Sequence, residues 1–128
     1  MKKWLLLIFF VNVLFAQIKI EPHERYNLKK VGDKTYELVL NDIKQTLVRL
    51  TGEVESNEHE RVVWSTEKTF KWGNGIVSDE FKVVNPYTYS NNGVVNTMFG
   101  PLPEMKGRTV KITAKYKEFT DTIFIKLK

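Results

Sequence analysis

The strongest constraint on this chain is the alternation along its last stretch, Arg108 to Lys128. Val110, Ile112, Ala114 and Tyr116 alternate with Thr109, Lys111, Thr113, Lys115 and Lys117. Ile123, Ile125 and Leu127 then alternate with Thr122, Phe124, Lys126 and Lys128. A strand points successive side chains to opposite faces, so period two is a strand signature. Two such strands joined by a short polar turn form a β-hairpin with one apolar face. A lone hairpin is barely stable in water, and that face needs a partner sheet. The remainder of the chain is expected to supply it.

The first residues read differently. Lys2 and Lys3 precede an apolar run from Trp4 to Phe15, interrupted only by Asn12, and Ala16 follows. A charged start, a short apolar core and a small residue describe a secretory signal peptide. Spanning a bilayer takes roughly 20 apolar residues, more than this run offers. Cleavage after Ala16 is therefore expected, although Leu14 is larger than the residue usual at −3. An uncleaved anchor is the alternative. The expected division is a signal peptide over 1–16 and one domain over 17–128. An exported location follows, periplasmic, cell-surface or secreted, with no membrane span after cleavage.

The chain contains no cysteine. In an oxidising compartment it would have to hold together by core packing alone, without disulfides. No cysteine follows the apolar run to carry a lipid, and no Asn-x-Ser/Thr sequon occurs. The formal charge is +5, of which Lys2 and Lys3 contribute two. That mild excess does not imply nucleic acid, which calls for denser clusters on one face.

The mature chain reads as a succession of short strands. Ile18 and Ile20 flank Lys19 before Pro22, a first strand that the proline ends or confines to a sheet edge. Tyr26 to Val31 is read as its continuation, with Gly32-Asp33 as a turn. Tyr36, Leu38 and Leu40 share a face, and Asn41-Asp42 marks another turn. Ile43 to Val54 is read as one strand, with a short helix over Asp42 to Arg49 as the alternative. Glu53 to Glu60 is a solvated loop by composition. Arg61 to Thr66 places Val62 and Trp64 on one side and Val63 on the other. Gly73-Asn74-Gly75 is a tight hairpin signal after Phe70 and Trp72. Phe81, Val83 and Val84 make a further strand. Pro86 to Gly93 reads as a loop turning at Asn92-Gly93, and Val94 to Phe99 as a strand. No stretch keeps helical periodicity over ten residues. The expected architecture is all-β, an antiparallel sandwich of seven to nine strands.

Leu50-Thr51-Gly52, Val62-Val63-Trp64-Ser65-Thr66, Gly107, Val110-Lys111-Ile112-Thr113-Ala114 and Asp121-Thr122-Ile123-Phe124-Ile125 together resemble bacterial immunoglobulin-like and polycystic-kidney-disease-like sandwich domains. The resemblance covers most of residues 43–127. It implies an immunoglobulin-like β-sandwich in which Trp64 packs between the sheets. No cysteine pair flanks this tryptophan, Val110 stands near the place of the usual corner tyrosine, and Phe70 to Gly100 is longer and more aromatic than usual.

Chemistry-bearing constellations are sparse. Without cysteine, thiol nucleophiles and thiolate metal sites are excluded. His23 and His59 are the only histidines. His59-Glu60 starts like a zinc-protease motif, but Val63 occupies the place of the second ligand. No Gly-x-Ser-x-Gly elbow or phosphate loop occurs. A Ser-His-acid set scattered along the chain is recognisable only by geometry. The loop Glu53 to Glu60 offers carboxylates on long side chains without an Asp-x-Asp pattern, which suits solvation better than calcium. No catalytic residue, metal or cofactor is expected.

Two sets suit binding. Tyr87, Tyr89, Asn91 and Asn92 form a candidate contact loop, with Trp72, Phe70 and Phe99 expected in the core. Lys111, Lys115, Lys117, Lys126 and Lys128 lie on the outward face of the closing hairpin. They suit an acidic glycan or anionic surface, or else discourage edge-to-edge aggregation. The expected function is a non-catalytic interaction module that contacts a protein or cell-surface partner through loop ends such as Glu53–Glu60 and Tyr87–Asn92. The alternative is a small carbohydrate-binding module using Trp72, Tyr87 and Tyr89.

Overall fold

The computed structural model describes residues 17–26, 28–66, 69–72, 75–78 and 87–128, with backbone pairing alone over 69–72 and 75–78. The signal peptide, the strand through Phe81 to Val84 and the core placement of Phe70 and Trp72 lie outside these residues.

The closing hairpin forms as its alternation demands. Strand β10 (Thr109–Tyr116) pairs antiparallel with β11 (Phe119–Leu127), with Val110 opposite Ile125 and Ile112 opposite Ile123. Val110, Ile112, Ala114, Ile123 and Ile125 are completely buried. On one flank β10 pairs with β5 (Arg61–Thr66), which sets Ala114 against Trp64. On the other flank β11 takes β3 (Thr35–Leu38) in parallel, with Leu127 beside Leu38. Strand β2 (Lys29–Gly32) and strand β8 (Tyr87–Tyr89) complete a six-stranded sheet in the order β2-β3-β11-β10-β5-β8.

The covering sheet is three-stranded, in the order β1-β4-β9. Strand β4 (Val48–Val54) lies between β1 (Ile18–Pro22) and β9 (Val94–Phe99). Its inward residues Val48, Leu50, Gly52 and Val54 alternate with Arg49, Thr51 and Glu53. Gly52 is required by packing: a Cβ there would stand 2.8 Å from Val95 Cγ1 and 3.2 Å from Ile20 Cγ2. Pro22 closes an edge strand, where its missing N–H costs no ladder bond. A separate hairpin pairs β6 (Thr69–Trp72) with β7 (Gly75–Ser78), Trp72 opposite Gly75, as the Gly-Asn-Gly signal predicts.

The two sheets face each other across a single core. Trp64 is 1% exposed at its centre, and its indole N–H donates to Thr88 Oγ1 at 2.7 Å. Burying the ring without a partner for that N–H would cost free energy, so the inward-facing threonine of β8 is part of the core design. Asp121 ties the sheets at one end. Its carboxylate accepts from the Ile20 N–H at 2.7 Å and from Lys34 Nζ at 2.6 Å. Sequence-derived Asn92-Gly93 is a two-residue reversal with φ of 52° and 83°, the positive pair that a type I′ turn needs.

Three expectations are corrected. Tyr26 to Val31 does not prolong β1. A 3-10 turn over Glu24–Tyr26 intervenes, and β2 joins the opposite sheet, pairing with β3. Residues 43–47 belong to neither a strand nor a helix. The Asn41 side chain accepts from the Ile43 and Lys44 N–H groups, an Asx turn that draws the backbone away from both ladders, and β4 starts only at Val48. Ile43 is 90% exposed. An ion pair between Asp42 and Lys106 holds this loop to the segment before β10, and the Lys106 hydrogen bond keeps the Asp42 carboxyl below its ordinary range. Residues 87–89, third, are strand and not loop, with consequences for the site.

Candidate binding surface

Tyr87-Thr88-Tyr89 lies within a run of turn-forming residues, yet an aromatic–Thr–aromatic triplet fits a pleated strand well. It pairs with β5, setting Tyr87 opposite Val63, Thr88 opposite Val62 and Tyr89 opposite Arg61. Pleating then sends Thr88 inward to Trp64 and both tyrosines outward. They are 55% and 53% exposed.

The registers of the six-stranded sheet carry this face onward. Tyr87 neighbours Val63, Val63 neighbours Lys115, and Lys115 neighbours Thr120, one row across four strands. The next rows hold Ser65, Thr113 and Thr122, then Lys111 and Phe124, then Thr109 and Lys126. Adjacent strands lie about 4.8 Å apart, so Lys115 stands roughly 10 Å from Tyr87. The candidate tyrosines and the candidate lysines Lys111, Lys115 and Lys126 therefore share one outer face. Sequence alone assigns them to separate features.

Arg61, which the sequence reading missed, and His59, from the expected contact loop Glu53–Glu60, complete the tyrosine end. The Arg61 guanidinium carbon sits 4.5 Å from the Tyr87 ring centroid, a cation–π contact. The His59 ring stacks on Tyr89 with centroids 5.0 Å apart and planes 3° from parallel. The available signal was parity: Arg61 lies two residues from outward Val63 on the same strand. The centre of the face is rich in hydroxyls, and Thr113 and Thr122 share a hydrogen bond of 3.0 Å.

Other candidates fall elsewhere. Lys117 occupies the β10–β11 turn at φ 56°, and its ammonium lies 5.2 Å from the Tyr116 ring. The hydrogen bond and charge of Tyr116, then Glu60 and Glu58, raise its pKa, and its place in the turn takes it off the lysine rows. Asn91 and Asn92 serve the turn beyond Tyr89, where the Asn91 N–H donates to the Val94 carbonyl at 2.7 Å. The acidic loop is narrower than its composition suggests, because Glu53 is in β4. Completely buried Ser90 pins the rest: its hydroxyl accepts from the Glu60 N–H at 2.9 Å and donates to the Glu58 carbonyl at 3.0 Å. Among the described residues no three His, Asp or Glu side chains converge on a point that would hold a metal. No helix among them is long and apolar enough to cross a membrane.

No protein-family model matches the chain, and no curated protein matches it in sequence. Solved structures do match in fold. A family 123 glycoside hydrolase from Clostridium perfringens, described for glycolipid glycan hydrolysis, aligns over 87% of this chain with a TM-score of 0.58 and 9% identity. The chain spans 27% of that enzyme's length. The PapD-like domain 7 of human CEP192 aligns over 88% of this chain and 84% of its own, with a TM-score of 0.46 and 9% identity. The swine CD8αα homodimer aligns over 88% of this chain and 99% of its own chain, at 0.42 and 11%. The fold is an immunoglobulin-like β-sandwich. At such identities the likeness extends to fold alone, and site chemistry rests on the residues themselves.

Proposed function

We propose that this chain is a non-catalytic binding module, acting outside the cytoplasm, that engages its partner through the outer face of the six-stranded sheet. The observation carrying this reading is the convergence of Tyr87, Tyr89 and Arg61 with Lys111, Lys115 and Lys126 on that face. Two half-exposed tyrosines held on a paired strand are rigid anchors, which lose little side-chain freedom on contact. The apolar run before Ala16 supports export. Among the described residues, the outer face of the three-stranded sheet, with Arg49 and Met98, holds no comparable grouping of tyrosines and lysines.

The test is retention of the full chain, as its own cells process it, on the envelope fraction of those cells. The double variant Tyr87→Ala/Tyr89→Ala is expected to lose about tenfold in retention, the effect of removing two aromatic anchors. Arg49→Ala/Met98→Ala is expected to bind like the parent. Equal retention of all three proteins would overturn the assignment of the face.

A further inference from the structure

Among the described residues the outward lysines Lys111, Lys115 and Lys126 form no ion pair. The ion pairs among those residues are Lys34–Asp121, Lys106–Asp42 and Lys128–Glu37. The register puts Glu37 opposite Lys126 and Lys29 opposite Glu37, and the Glu37 carboxylate reaches Lys128 Nζ at 3.6 Å. Arg61, opposite Tyr89 in the register, lies over the Tyr87 ring and adds a cation to the tyrosine end. The result is a strip of positive charge running across β5, β10 and β11, beside two aromatic rings.

The interior of the strip decides what kind of anion suits it. Stable protein interfaces have an apolar centre depleted of charge and a polar rim. Here the arrangement is reversed. Ser65, Thr113, Thr120 and Thr122 occupy the middle, with partly buried Val63 and Phe124 as the apolar exceptions. A hydroxyl-lined, cationic surface bordered by tyrosines matches a flexible chain carrying many hydroxyls, repeated negative charges and flat apolar ring faces. Resting on the binding reading above, we infer that the ligand is an acidic polysaccharide, a uronic-acid polymer in chemical class, lying across the strands from Tyr87 toward Lys126.

The experiment is calorimetric titration of the full chain, as the cell processes it, with polygalacturonate. Dextran serves as the neutral control, and polyglutamate and duplex DNA as anions of other classes. Polygalacturonate is expected to bind, dextran not to bind, and polyglutamate and DNA to bind at least tenfold more weakly. Raising sodium chloride from about 0.05 to about 0.2 M should weaken polygalacturonate binding tenfold or more. Lys111→Gln/Lys115→Gln/Lys126→Gln, all exposed positions, should lower affinity on the order of 100-fold, from roughly fivefold per lysine. Its circular dichroism should match the parent. No binding of polygalacturonate at low salt, equal binding of polyglutamate or DNA, or an unchanged triple variant would each overturn the inference. If polygalacturonate fails while envelope retention still depends on Tyr87 and Tyr89, the ligand class is wrong and the binding face stands. If neither set of variants changes retention, the face itself is wrong.

Discussion

Trp64→Ala is expected to destabilise the domain by about 4 kcal/mol, the cost typical of deleting a buried tryptophan and leaving a cavity. Trp64 is 1% exposed, lies beside Ala114 on β10 and faces the three-stranded sheet. The small partner on β10 leaves the indole as the main filler of that part of the core, so neighbours have little to collapse with. Truncation also leaves Thr88 Oγ1 without the N–H it accepts at 2.7 Å. A domain of this size has about 5–15 kcal/mol of stability in total, so the variant should be near its limit. Its melting temperature should fall by roughly 15 °C. Trp64→Phe keeps most of the volume and should cost less than half as much. Urea unfolding followed by circular dichroism makes the comparison, and a loss below about 1 kcal/mol would show that the sheets are not packed around this ring.

Asp121→Ala is the second large effect, expected at about 2–3 kcal/mol from the loss of charge-assisted bonds and an orphaned N–H. Asp121 is opposite Ala114 on the inward side of β11, a position that would normally be apolar. Its carboxylate satisfies the Ile20 N–H of β1 in the other sheet, and also meets Lys34 from the β2–β3 turn. Lys34 itself has a φ of 58°, so the ion pair helps to hold a turn conformation that a non-glycine residue rarely adopts. Its side chain is 33% exposed and that of Asp121 is 17%, so solvent screens part of the attraction. Asp121→Asn retains an acceptor for Ile20 and should recover about half of the loss. A double-mutant cycle with Lys34→Met should return a coupling of about 1 kcal/mol. A loss below about 0.5 kcal/mol for Asp121→Ala would mean that the sheets do not depend on this clasp. The neighbouring Tyr36 phenol is held above its ordinary value by burial, with Glu21, Asp121 and Asp33 adding to the shift. Its neutral form is favoured in the folded state, so its contribution is present below pH 10 and declines as the unfolded phenol ionises above it.

The legibility of this fold followed the range of the interactions involved. Strands whose alternation is long and whose partner is adjacent were readable, as with β10 and β11, because one hairpin register fixes every side chain. Trp64 between Val62 and Thr66 was readable for the same reason of parity. The Asn92-Gly93 reversal was readable from its need for two positive φ values. The parallel pairing of β3 with β11 was not, since its partners lie some ninety positions apart and parallel strands leave no turn signature between them. Ile43 to Leu47 misled because an apolar run carries no mark of where its backbone hydrogen bonds go. There the Asn41 side chain took the Ile43 and Lys44 N–H groups, and the Thr46 N–H went to the Pro101 carbonyl.

The proposed binding face shows the same division. The lysine parity of the closing hairpin was visible in the sequence, and so was the exposure of Tyr87 and Tyr89. Their position on a strand was obscured by the Pro, Asn and Ser around them. That both sets occupy one surface depends on β5 standing between β8 and β10, a tertiary fact. Arg61 became a functional candidate only when that order brought it against the Tyr87 ring, and His59 of the expected contact loop was set against Tyr89 by the same arrangement.

The central claim is that contact is made through one sheet and not the other. Placing a photo-crosslinking benzophenone residue at position 89 in one cell line and at position 98 in another tests it most directly. Irradiated in the cells that make the chain, position 89 should give a discrete adduct with an envelope component, and position 98 should give none. Adducts at position 98 alone, or equally at both, would contradict it.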